Sequence, residues 1–202
     1  MKNIFLTSVL LSFLALSNCS NKKNQVKNIS NQDCDFFYKK FKENLMIERN
    51  DSAIIYIEKA IDCNSEKKSY KSDKLRFLIS IGKYEKAVNY LSELNSKNQD
   101  ISYSLLKSIL LLKIKDKNAE ISLEEVYTRY KKIKNPNSTD LFYRIALDNF
   151  FKGKEYSLIE LDKIKKNTEL SEYEIQNFTA LHNLINEKDK NSVLFSLFSI
   201  EE

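Results

Sequence analysis

Apolar residues recur at steps of three and four along residues 34–202, with lysine, glutamate and asparagine between them. That spacing places the apolar side chains on one face of an amphipathic helix. Breaks in the pattern predict ten helices, near 34–48, 51–63, 68–81, 83–95, 101–114, 118–134, 139–152, 154–166, 171–186 and 189–200. The pattern therefore predicts an all-α domain over residues 34–202.

The apolar pattern also repeats after 34 residues. Ala53 aligns with Ala87, and Tyr56 aligns with Tyr90. Taken in pairs, the predicted helices start at 34, 68, 101, 139 and 171, with spacings of 34, 33, 38 and 32 residues. Repeats of this length are typical of helix hairpins that stack and bury each other's apolar faces. We expect an α-solenoid of about five antiparallel helix hairpins.

Glycine and proline mark several of the connections. Gly82 and Gly153 lie between the two helices of their hairpins, where a left-handed residue is expected to close the first helix. Pro136 lies in a polar loop, in which Ser138 or Thr139 is predicted to be the N-cap of the next helix. These positions agree with the helix boundaries that the apolar pattern predicts.

The segment 82–88 (Gly-Lys-Tyr-Glu-Lys-Ala-Val) resembles the turn and second helix of a tetratricopeptide repeat, with the small residue Ala87 where helices cross closely. Residues 50–53 (Asn-Asp-Ser-Ala) are similar to the same part of the preceding repeat, and residues 142–153 resemble the first helix and turn of a later one. The resemblance implies a TPR-like solenoid that binds other proteins. A generic helical solenoid is the alternative fold.

The composition excludes several other classes of protein. The 202 residues include only 2 glycines and 1 proline, too few for the many tight turns of a β-sandwich or barrel. Dinucleotide- and phosphate-binding loops need closely spaced glycines, which Gly82 and Gly153 do not supply. We therefore expect neither kind of nucleotide-binding loop.

Residues 1–18 have the pattern of a targeting segment. They contain one charge, Lys2, followed by an apolar run over residues 4–16. This run is too short to cross a bilayer as a helix and is typical of a secretory signal peptide. Simple secretion and a retained N-terminal helix are two alternatives for this segment.

Residues 16–19 (Leu-Ser-Asn-Cys) resemble the lipobox of bacterial lipoproteins. The resemblance implies that Cys19 carries the lipid and anchors the protein in the cell envelope. Ser20 follows the cysteine where an aspartate would signal retention at the inner membrane, so the resemblance favours the outer membrane. The polar residues that follow Cys19, up to residue 33, are expected to form a flexible tether.

Two cysteines remain in the repeat domain. Cys34 begins the first predicted helix and Cys63 ends the second, so an antiparallel hairpin brings them to the same end. A disulfide is then geometrically reasonable in an oxidising compartment. Two unpaired, packed thiols are the alternative.

No motif indicates an active site, and we expect a protein that is not an enzyme and needs no cofactor or metal. His182 is the single histidine and lies in a predicted helix among apolar residues, which favours a packed side chain. No cluster of histidine and cysteine has the spacing of a metal site. The 33 basic residues are interleaved with 28 acidic ones, which does not support nucleic-acid binding.

Binding is the function for which the pattern offers a mechanism. Tyr38 and Tyr143 occupy equivalent places in two predicted first helices, with Lys42 and Arg76 one turn further along their own helices. Such side chains hold peptides through ring contacts and bonds to carboxylates. The alternative is that each tyrosine packs between hairpins with its hydroxyl at the rim.

Two functions fit these features. The first is an envelope scaffold that docks a protein partner and is held to the membrane by its lipid anchor, without contact to nucleic acid. The second is an accessory lipoprotein that binds a solute or glycan.

Overall fold

The structure, a computed structural model, describes residues 31–98, 100–167 and 169–201. These residues form ten helices and no strand, which confirms the predicted all-α fold. The helices are α1 Asn31–Met46, α2 Asn50–Cys63, α3 Lys68–Ser80, α4 Tyr84–Asn98, α5 Ile101–Lys113, α6 Ala119–Lys131, α7 Ser138–Lys152, α8 Lys154–Asn167, α9 Glu172–Glu187 and α10 Lys190–Ser196.

Consecutive helices pack in antiparallel pairs, α1 with α2, α3 with α4, α5 with α6 and α7 with α8. Contacts between the second helix of each pair and the first helix of the next join the pairs into one stack. The predicted solenoid-like arrangement of helix hairpins is therefore confirmed. Helix α1 begins at Asn31 rather than at residue 34, because a polar first turn leaves no apolar pattern to detect.

A left-handed residue reverses the chain inside each of the first three hairpins. Gly82 has a φ of 68°, and the N–H groups of Gly82 and Lys83 donate to carbonyls in the last turn of α3, which is a Schellman motif. Glu48 (φ 55°) and Lys115 (φ 57°) take the same place after α1 and α5 with the same pair of bonds. Gly153, with φ 89°, follows α7. These four residues are 34, 33 and 38 positions apart, which is the predicted period.

The core consists of two packed clusters. The smaller one holds α1, α2 and one side of α3 together around Phe41, Ile57 and Tyr70. The larger one runs from α3 to the C-terminal residues. Ala53 and Ala87, which the repeat aligned, are both fully buried, as close helix crossings require.

Helix α7 begins one residue earlier than the predicted caps allow. The Asn137 side chain accepts a hydrogen bond from the Asp140 N–H (2.9 Å), and the Asp140 carboxylate accepts one from the Asn137 N–H (3.1 Å). This reciprocal capping box makes Asn137 the N-cap. The prediction of Ser138 or Thr139 is wrong, because neither has an acidic residue three positions later to complete the box.

The last pair of helices does not close into a hairpin like the others. Lys188 and Asp189, which connect α9 to α10, are both extended (φ −119° and −69°) instead of left-handed. Helix α10 therefore packs mainly on α7 and makes smaller contacts with α5 and α9. Helix α10 is also shorter than predicted, because Ser199 (φ 51°) ends it with a further Schellman motif.

Cys34 and Cys63 are joined by a disulfide, with their Cα atoms 5.3 Å apart. The bond links the start of α1 to the end of α2. It therefore closes the first hairpin of the stack, which has no hairpin before it among the described residues.

Candidate functional site

Asp73 on α3 gathers two of the predicted binding residues. The Tyr38 hydroxyl donates a hydrogen bond to the Asp73 carboxylate, and the Lys42 ammonium lies 2.8 Å from the same oxygen. The Tyr38 ring stacks on Tyr70 with ring centroids 4.6 Å apart. Burial raises the pKa of Asp73, but the bonds from Lys42 and Tyr38 outweigh it and hold this pKa below its ordinary value. Tyr38 and Lys42 are thus engaged within the molecule.

A second tyrosine–aspartate pair mirrors the first. The Tyr70 hydroxyl of α3 donates to Asp35 of α1 (2.6 Å), and Lys67 also donates to Asp35 (2.8 Å). Each of the two helices therefore supplies one tyrosine and one aspartate to the other. Neither aspartate was predicted from the sequence. In each pair the tyrosine and the aspartate are 35 residues apart, one residue more than the repeat of 34, and this spacing is the sequence signal that could have indicated the pairs.

The C-terminal segment, residues 190–200, lies along α5 and α7. Lys113 at the end of α5 sits 5.2 Å from the Phe195 ring centroid, and Lys190 sits 4.4 Å from that of Phe150 on α7. Further along, the Phe198 ring stacks on Tyr143 with centroids 5.8 Å apart. The segment thus runs from the C-terminal ends of α5 and α7 towards their N-terminal halves. Its most buried side chains are Val193, Leu194 and Ile200.

We call the surface formed by α3, α5, α7 and α9 around this segment the first-helix face. The segment divides it into two clefts. The Arg76 cleft, of about 670 Å³, lies between α3 and α5 and is closed on one side by the segment. Its lining residues are Ser72, Leu75, Arg76, Ile79, Ser80, Tyr103, Leu106, Phe198 and Ser199. Arg76 is exposed at its rim.

The Glu174 cleft, of about 440 Å³, lies between the N-terminal halves of α7 and α9. Its lining residues are Ser138, Thr139, Phe142, Tyr143, Ser171, Tyr173, Glu174, Asn177 and Phe178. Glu174 belongs to the capping box of α9, in which its carboxylate accepts bonds from the N–H (2.8 Å) and hydroxyl (2.7 Å) of Ser171. Hydrogen bonds from the Ser138 and Ser171 hydroxyls and from the Ser171 backbone lower the pKa of Glu174 to about 2. This carboxylate is therefore ionised at neutral pH.

The four predicted binding residues therefore do not form one site. Tyr38 and Lys42 meet at Asp73, and Arg76 lies one turn further along α3, at the rim of its own cleft. Tyr143 lines the Glu174 cleft on the other side of the C-terminal segment. No family model, curated protein or solved structure matches this chain.

Outside the clefts, the Tyr127 hydroxyl donates to the buried carboxylate of Asp148, and the single histidine lines neither cleft. His182 is half-buried on α9, with its Nδ1 3.2 Å from the Asn186 side-chain nitrogen. No group of three or more histidine, cysteine, aspartate or glutamate side chains among the described residues can hold a metal ion. Within the same residues, no helix is long and apolar enough to span a bilayer. Cys19 lies outside the described residues.

Proposed function

We propose that the protein is a non-catalytic scaffold of the bacterial envelope, anchored through lipid on Cys19, that docks a protein partner on its first-helix face. The observation that carries the proposal is the C-terminal segment itself. A short helix with buried Val193 and Leu194 already lies across α5 and α7. A surface that accommodates one peptide segment of this kind has the shape and the apolar character to accommodate another.

The clefts on either side of the segment support the same function. Each combines an apolar floor with one charged group, Arg76 in one and Glu174 in the other. Charges of opposite sign on the two sides of one surface favour one orientation of a partner over its reverse. The lipid anchor and the polar tether would hold this surface near the membrane and leave it accessible.

Site-specific photocrosslinking in intact cells tests the docking surface. A photoreactive amino acid at Ser80, exposed in the Arg76 cleft, is expected to give a discrete protein adduct. The same amino acid at Glu124, exposed on α6 and outside both clefts, is the matched control and should give none. Equal adducts from both positions, or none from either, would contradict the proposal. A thermal shift that depends on a sugar, without any adduct, would instead support binding of a solute or glycan.

A further inference from the structure

The Glu174 cleft is lined by aromatic rings. Phe142, Tyr143 and Phe178 form its floor, with the Phe142 ring centroid 5.9 Å from that of Tyr143 and 6.0 Å from that of Phe178. Tyr173 forms a wall and is 71% exposed, so its ring is available to a ligand. A volume of about 440 Å³ admits an extended side chain with part of its backbone.

The faces of these rings are favourable sites for a cation. Elsewhere in the molecule the same attraction is already satisfied by lysines, such as Lys152 at 4.0 Å from the Tyr156 ring centroid and Lys131 at 4.1 Å from that of Tyr127. Among the described residues, no lysine or arginine is found over the rings of the Glu174 cleft. The cleft therefore presents aromatic faces without a cation of its own.

The lining of the cleft favours a cation. Its one charged side chain is Glu174, and none of its lining residues is a lysine or arginine. The whole chain has the opposite balance, with 33 basic and 28 acidic residues. Glu174 stays ionised while it serves as a helix cap, and a carboxylate has more acceptor positions than the serine bonds occupy.

We propose that the Glu174 cleft binds the basic side chain of a partner protein, with arginine preferred to lysine. The apolar stem would lie on Phe142 and Phe178, and the guanidinium would lie between the Tyr173 ring and the Glu174 carboxylate. Arginine is preferred because its planar group stacks on rings and presents several donors to a carboxylate. The inference rests on the proposed docking function. It adds that a basic side chain is one of the groups by which the partner is held.

Binding of a labelled peptide to the purified full-length protein in detergent tests the inference. The probe is a capped pentapeptide with one central arginine, and its control carries citrulline, which has nearly the same shape without the charge. We expect the arginine peptide to bind about tenfold more tightly than the citrulline peptide, with the lysine peptide between them. Equal binding of the arginine and citrulline peptides would overturn the proposal.

Glu174→Gln removes the charge and keeps an oxygen acceptor for the capping box. This variant should bind both peptides within about twofold of each other, because the charged acceptor is lost. Glu187→Gln, an exposed carboxylate at the other end of α9, is the matched control and should retain the preference for arginine. Tyr173→Ala should weaken binding of the arginine peptide and leave thermal unfolding unchanged. A preference for arginine that persists in Glu174→Gln would also overturn the proposal.

These measurements use purified protein, and their outcome is independent of the photocrosslinking in cells. Arginine-selective binding without any adduct at Ser80 would retain the cation site and reject the docking surface at the Arg76 cleft. An adduct at Ser80 without arginine selectivity would do the reverse.

Discussion

The residue that reverses the chain inside a hairpin is glycine in two hairpins and a charged residue in two others. Gly82, Glu48 and Lys115 all have φ between 55° and 68°. A side chain in this left-handed region brings its Cβ close to the following carbonyl group, a strain that glycine avoids. Glu48 and Lys115 are held there by the two hydrogen bonds of the Schellman motif and by the packing of the hairpins that they close. The position is thus a local weakness of the first and third hairpins.

Lys115→Gly is expected to stabilise the protein. Relief of the left-handed strain outweighs the greater entropy of glycine in the unfolded chain, so the free energy of unfolding should rise by about 0.5–1 kcal/mol. Gly82→Ala should lower it by about 1 kcal/mol, and only through the backbone, because an added Cβ there meets no atom within 4 Å. Urea unfolding followed by circular dichroism measures both changes.

Lys86→Gly is the control for these two variants. Lys86 is an exposed residue in the first turn of α4, where glycine should lower the free energy of unfolding by up to about 1 kcal/mol. If Lys115→Gly destabilised the protein as Lys86→Gly does, the left-handed strain at residue 115 would be rejected.

At the scale of helices, small residues decide how closely neighbours pack. Ala53, Ala60 and Ala87 are fully buried on second helices. The sequence repeat aligned two of them because a close crossing recurs in successive hairpins. The positions of these alanines therefore allow the second helices to pack closely against their neighbours.

Ala87→Leu tests this packing. Three extra carbons at a site with no exposed surface should overpack it and lower the free energy of unfolding by about 1–3 kcal/mol. Lys86→Leu, one position along the same helix and exposed, should change it by less than about 0.5 kcal/mol. Urea unfolding of both variants gives the comparison. Equal tolerance at the two positions would contradict the register of α4.

Helix α10 shows how a connection decides the partner of a helix. A left-handed residue follows α1, α3 and α5, and each of these helices forms a hairpin with the next helix. The same kind of residue after α9 would place α10 beside α9 as a fifth hairpin. Lys188 and Asp189 are extended instead, so the chain leaves α9 without reversing along it. The segment then covers α5 and α7 and closes one side of the Arg76 cleft.

At the scale of the whole molecule, the proposed anchor and the proposed docking surface lie in separate parts of the chain. The anchor is assigned to Cys19, and the first-helix face is formed by residues beyond 68. Loss of the anchor is therefore expected to leave the helical stack unchanged. The two halves of the proposed function can be tested one at a time.

Cys19→Ala is expected to abolish labelling by a fatty-acid analogue and to shift the protein from the membrane to the soluble fraction or leave it as precursor. Ser20→Ala, the matched control, should retain the label. Circular dichroism of the purified Cys19→Ala protein should remain that of a helical protein. Unchanged labelling of Cys19→Ala would show that the lipid attaches elsewhere.

The sequence by itself determined where the helices lie and how the hairpins repeat. Apolar spacing is a local property, because it indicates which face of a helix must be buried and does not depend on which other helix covers that face. It placed nine of the ten helices within about three residues at both ends and identified Gly82 and Gly153 as turn residues. The placement of Cys34 and Cys63 at one end of a hairpin likewise depended only on helix length and direction.

Only the tertiary structure decided which side chains meet. Tyr38 and Lys42 were candidates for a partner, and both are engaged by Asp73, which carries no signal in the apolar pattern. The Arg76 cleft depends on the path of residues 190–200, which follows from two extended residues and from the apolar surface that α5 and α7 leave uncovered. The Glu174 cleft depends on how α7 packs beside α9. A local pattern cannot specify such contacts, because their energy depends on elements that are distant in the chain and adjacent only after folding.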